Sequence, residues 1–165
     1  MQKQDLYARL SALLEQSGLS RVHPDATQPT ARLALEALAG LPPYEQIWAG
    51  DLNSSVQIVA VASGERLPGV ELARRALLLA ERGAALSLRV KGFVQAVQLV
   101  VYERAIAPQE LSFVLSKARV AAALPFARGK VATWLISVSE PAVHAKKLRG
   151  WPVELSPPEL RKLLQ

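Results

Sequence analysis

The chain has 165 residues, of which 50% are hydrophobic and 21% charged, with no cysteine and a formal net charge of +6. A length of this order fits one domain that buries roughly 68–70% of its unfolded surface, and the ordinary hydrophobic content argues against extended disorder. Without cysteine, disulfides, thiolate metal sites and thiol nucleophiles are excluded. No apolar run reaches the roughly 18 residues of a membrane span, and Met1-Gln2-Lys3-Gln4-Asp5 leads into an amphipathic pattern unlike a signal peptide, so the expected location is the cytoplasm.

Charge is unevenly distributed. Residues 1–81 carry 7 basic and 9 acidic side chains, a net of −2, whereas residues 82–165 carry 13 basic and 5 acidic, a net of +8. Clustered lysine and arginine in one half favour a polyanionic partner, because they replace the counterions condensed on phosphates.

Leu6, Leu10, Leu13 and Leu14 share one helical face within Gln2–Ser17, and Gly18 supplies a stop. Leu19 to Gln28 reads as a loop containing His23-Pro24-Asp25. A second helix is predicted from Thr27 or Pro29 through Leu38, ended by Gly40 and Pro42-Pro43. Ile47 and Trp48 open a short strand, Gly50 to Ser54 is rich in turn formers, and Val56 to Ala62 forms a second strand. After Gly64 and Pro68-Gly69 a helix is predicted over Val70–Arg82, closed by Gly83. Its polar side is thin, which predicts cover on more than one side.

Leu86, Leu88 and Val90 alternate with Ser87, Arg89 and Lys91, the pattern of a half-buried strand. Gly92 permits a turn, and Val94 to Tyr102 is so continuously apolar that it belongs in the middle of a sheet. Pro108 suits the first turn of a helix carrying Leu111, Val114, Leu115 and Ala118. Val120–Leu124 and Val131–Val138 are predicted as strands joined by a turn, with a helix after Ser139 and a last helix capped by Ser156, Pro157 and Glu159.

These elements predict a single α+β domain over residues 1–165, with a helical segment at 1–43 and a sheet-containing core at 44–165. The sheet is expected to be mixed or mainly antiparallel and built from strand–strand–helix units spaced about forty residues apart, with helices on one face. A ferredoxin-like βαββαβ core, with 86–91 as a strand, is the competing parse.

Two histidines, His23 and His144, stand without a nucleophile elbow or a metal-ligand spacing, so no catalytic residue, cofactor or metal is assigned. Asp51, Glu65 and Glu103 are the acids near predicted strand ends, and a metal-dependent nuclease that used them is the minor alternative. The basic residues form the stronger signal. Arg89 and Lys91 on a strand, Arg128 and Lys130 in a turn, and Lys146, Lys147 and Arg149 in a helix are candidate phosphate contacts, with Trp151 and Phe126 as candidate stacking rings. The expectation is a non-catalytic nucleic-acid-binding protein.

A protein-binding adaptor, or a homodimer formed through exposed leucines of the first helix, is the other class. The element mix resembles that of the bacterial secretion chaperones in architecture alone, and fold likeness does not carry function.

Overall fold

Leu6, Leu10 and Leu14 recur one turn apart and draw α1 (Lys3–Gln16) onto an apolar surface that leaves none of the three exposed. The computed structural model describes residues 2–41, 43–52, 54–90, 92–113, 131–137, 142–144 and 157–165. Gly18 ends the first helix in the left-handed region at φ +88°, where a side chain is strained, and Leu19 N–H donates back to the Leu14 carbonyl at 3.1 Å. There follow β1 (Ser20–Arg21), α2 (Pro29–Ala37), β2 (Gln46–Leu52), β3 (Ser55–Ser63), a single 3-10 turn (Gly64–Arg66) and α3 (Gly69–Arg89). β4 (Phe93–Tyr102) leads to a helix, α4, described over 108–113, and β5 (Val131–Ser137), β6 (Ala142–His144) and α5 (Pro157–Lys162) complete the order.

The strands form one mixed sheet in chain order. β1, β2 and β3 are antiparallel neighbours, β3–β4 and β4–β5 are parallel, and β6 returns antiparallel to β5. The hairpin between β2 and β3 is tighter than its turn-forming residues suggest, because Leu52 already pairs with Ser55 and Gly50–Leu52 belong to the strand. Its turn is held by Ser54 at φ +63°.

All nine residues of β3 are buried, and the apolar run of β4 lies beside it in the middle of the sheet as expected. Such strands need cover on both faces, and the helices divide to provide it. Val59, Val61, Val97, Leu99, Val101 and Ile136 pack with Leu6, Leu10 and Leu14 of α1 and Leu160 of α5. On the other face Ile58, Ala60, Val94 and Ala96 pack with Ala31, Ala34 and Ala37 of α2 and Leu79 and Leu86 of α3. Leu72 of α3 continues this layer over Val100, Tyr102 and Leu135.

The mixed α+β sheet, the two N-terminal helices and the C-terminal helix match the expectation, whereas three finer readings are corrected. Helices cover both faces instead of one. Leu86 to Arg89 continue α3, which removes the strand that the ferredoxin-like parse requires. Residues 142–144 form β6 where a helix was expected, since Ala142 and His144 complete a ladder with Ser137 and Leu135. The expected strand at Val120–Leu124 lies outside the described residues.

The alternation at 86–90 misleads because a heptad underlies it. Leu72, Leu79 and Leu86 fall at seven-residue steps on the sheet-facing side of α3. Burying a leucine is worth about 1.5–3 kcal/mol, which outweighs the roughly 1 kcal/mol that Gly83 costs inside a helix. Ser87 also donates to the Gly83 carbonyl at 2.7 Å and accepts from Val94 N–H at 3.0 Å, fastening the end of α3 to the start of β4.

Leu86 is 4% exposed and Leu88 83%. Urea unfolding should therefore show a loss of about 2–5 kcal/mol for Leu86→Ala and less than about 0.5 kcal/mol for Leu88→Ala. Equal losses would put both side chains on one buried face, as a strand demands.

Candidate functional site

In open sheets with parallel strands, ligands gather at the carboxyl ends of those strands. Here β3, β4 and β5 end in register at Ser63, Tyr102 and Ser137, since Ser63 pairs with Val101 and Tyr102 with Ser137. The polypeptide beyond the ends of β3 and β4 is polar, with Glu65 and Arg66 after Ser63 and Glu103 and Arg104 after Tyr102. The start of α1 brings Lys3 to the same place, 60 positions earlier in the chain than Ser63.

Lys3 Nζ donates to Ser63 Oγ at 3.1 Å and lies 3.5 Å from Glu103 Oε1. Ser63 Oγ donates to Glu65 Oε2 at 3.0 Å, and Glu103 N–H donates to Glu65 Oε1 at 2.7 Å. Partial burial pushes the Glu65 carboxyl up, but the backbone N–H groups, the Ser63 hydroxyl and the Lys3 charge together hold it below the usual value of 4.5. Beside it, Arg104 grips Glu110 through both carboxylate oxygens at 2.9 and 3.1 Å and lies over the Tyr102 ring. Ser137 Oγ donates to the Arg104 carbonyl at 3.0 Å. Burial, reinforced by the Glu110 charge, raises the Tyr102 phenol.

Gly64 is needed where β3 leaves the sheet: a Cβ there would enter the Tyr102 ring. This edge combines Lys3 and Arg104 with Glu65, Glu103 and Glu110, a small excess of negative charge, and both Glu65 oxygens are engaged by internal donors. Such an edge is poorly suited to phosphates.

Under α3 lies a second polar group. Tyr44 OH donates to Gln98 Oε1 at 2.8 Å, and Gln98 Nε2 donates to Thr133 Oγ1 at 3.1 Å, a buried relay from the start of β2 across β4 to β5. Burial pushes the Tyr44 phenol up, while the neighbouring Arg75 pulls it back in part. Arg75 itself has no exposed surface. Its guanidinium lies 4.6 Å from the centre of the Tyr44 ring, and Nε reaches Glu71 at 3.4 Å. Neither terminal nitrogen has a hydrogen-bond partner among the described residues, which makes Arg75 the least compensated buried charge there.

Of the acids singled out in the sequence, Glu65 and Glu103 meet at the strand ends, whereas Asp51 lies opposite Val56 at the other end of the sheet, roughly 25 Å away along β3. Among the described residues no group of three or more histidines, aspartates or glutamates stands together to hold a metal. His23 is exposed in its loop.

Arg89 sits on the last turn of α3 and pairs with Glu36 of α2 at 2.6 and 2.7 Å, which lowers the Glu36 carboxyl. Lys91, Phe126, Arg128, Lys130, Lys146, Lys147, Arg149 and Trp151 lie outside the described residues. Phe93, next to Gly92 where the sequence permits a turn, is the first residue of β4 and is 57% exposed.

Sequence reasoning overlooked Lys3, Ser63, Glu110, Arg75, Tyr44 and Gln98. The one available signal was the pair of polar residues inside otherwise apolar strands, Gln57 and Gln98, since a buried amide must find partners. Comparison with protein families, curated proteins and solved structures finds no match.

Because the folded carboxyl of Glu65 titrates below its unfolded value, its contribution to stability is complete above about pH 4.5 and is lost as the pH falls through the lower folded value. Chemical denaturation from pH 7 to 3 should show Glu65→Gln flattening this acid limb; an unchanged limb would mean that the carboxylate is not held. Gly64→Ala should destabilise the chain by about 1–3 kcal/mol through displacement of Tyr102, read as a lower thermal midpoint.

Proposed function

We propose that the chain binds a polyanion, nucleic acid first, and catalyses no reaction, using the basic residues of its C-terminal half. The observation that supports this reading is how the cations of the framework are engaged. Arg74 pairs with Glu71, Arg89 with Glu36, Arg104 with Glu110, Lys3 with Glu103 and Lys162 with Glu159. Arg82 donates to the Ala37 and Ala39 carbonyls at the end of α2. By contrast the sequence from 114 to 156 holds seven basic residues against Glu140 and Glu154. In the sequence the net positive charge is therefore concentrated in the segment that includes Arg128, Lys130, Lys146, Lys147 and Arg149, to which the reading adds Lys91, with Trp151 and Phe126 as rings able to stack on unpaired bases.

The alternative, an adaptor docking another protein on the leucines of α1, loses that surface, because Leu6, Leu10 and Leu14 are buried against the sheet.

Fluorescence anisotropy with labelled single- and double-stranded DNA and RNA, titrated from about 50 to 200 mM salt, tests the proposal. Log affinity should fall linearly with log salt, with a slope of about 0.9 per phosphate contacted on a duplex. Arg128→Glu with Lys130→Glu should reduce both affinity and slope, whereas Arg89→Ala, whose guanidinium already serves Glu36, should leave them nearly unchanged. No binding at the lowest salt would overturn the proposal.

A further inference from the structure

We propose that the inner side of α3 holds a receptor for a small monocarboxylate, gripped end-on by the two terminal nitrogens of Arg75. Arg75 stands between Leu72 and Leu79 on the buried side of the helix, is itself 0% exposed, and has no hydrogen-bond partner for either Nη atom among the described residues. A guanidinium in that condition is exceptional, because the hydration that a charge loses on burial has to be replaced by counter-charge and hydrogen bonds. Its surroundings orient it without satisfying it. The Tyr44 ring covers one face at 4.6 Å, and Nε reaches Glu71 Oε1 at 3.4 Å.

Charge and geometry together select the ligand. The carboxylate that reaches Arg75, Glu71, is already gripped side-on by Arg74 through Nε and Nη2 at 2.9 and 2.7 Å. The charges felt most strongly at the Tyr44 hydroxyl are those of Arg75, Glu71 and Arg74, two positive against one negative. Tyr44, Gln98 and Thr133 are neutral and bonded to one another, so they add hydrogen bonds and no counter-charge. One negative charge restores the balance, whereas a phosphate dianion overshoots it. Nη1 and Nη2 are the two free prongs of a planar fork, which match the two oxygens of one carboxylate better than a spherical chloride. Full burial restricts the ligand to about the size of formate or acetate, and Tyr44, itself partly exposed, is the side chain whose displacement opens a path from solvent. This site is independent of the polyanion reading and is tested without nucleic acid.

Formate is the probe. Its proton resonance, titrated with the full chain, should broaden saturably, and Arg75→Gln and Arg75→Lys should each weaken that binding at least about tenfold, the first by removing the charge and the second by keeping a charge without the fork. Replacing chloride with formate at fixed ionic strength should raise the thermal midpoint of the unaltered chain more than that of either variant, since a ligand of the native state alone stabilises it by mass action. Far-UV circular dichroism checks that both variants fold. No broadening with the unaltered chain would mean that water completes the guanidinium and would overturn the proposal without recourse to a variant. Equal midpoints in chloride and formate, or binding that survives Arg75→Gln, would overturn it as well.

Discussion

The structure depends on burying the parallel pair β3–β4 on both faces. A strand whose nine residues are all inside has no solvated side, so each face must be supplied with an apolar layer by some other part of the chain. α1 and α5 supply one and α2 and α3 the other. The parallel register between β3 and β4 in turn requires a crossover long enough to return to the starting edge, and the 21 residues of α3 provide it. The leucine heptad of α3, the leucine face of α1 and the antiparallel edge strands all follow from that one demand.

Because the two ends of β3 and β4 are then fixed, so is the electrostatics around them. Lys3 reaches Ser63 and Glu103 only because α1 lies along the sheet, and Glu65 accepts a hydrogen bond from the backbone of Glu103 only because the two parallel strands end side by side. The cluster is close to neutral and internally bonded. α2 and α3 are joined in the same way, with Arg82 on the last carbonyls of α2 and Arg89 on Glu36. By sequence, the excess positive charge of the second half is concentrated in residues 114–156.

Much of the architecture was legible in the pattern of side chains. The apolar run at Val94–Tyr102 identified a central strand, Pro29 and Gly18 marked helix boundaries that the structure keeps, and Leu6, Leu10 and Leu14 marked one apolar helical face, which the fold buries. Where local reading failed, two periodicities overlapped. Leu86, Leu88 and Val90 satisfy a strand, yet Leu86 also completes the Leu72–Leu79 heptad, and only the position of the sheet beneath α3 selects between them. The thin polar side of Val70–Arg82 predicted cover on more than one side; in the fold Val70 and Leu77 are exposed while Leu72 and Leu79 are buried.

What the sequence determined by itself is therefore the main helices, the central strands and the asymmetry of charge, because hydrophobic periodicity and residue counts are properties of neighbours along the chain. The tertiary structure alone decided which faces the helices cover, that the middle of the sheet is parallel, and that Lys3, Ser63, Glu65 and Glu103 share one edge while Asp51 lies at the other. Each of those facts joins residues tens of positions apart, and it is set by the need to bury both sides of a central strand, a constraint that no short window of sequence contains.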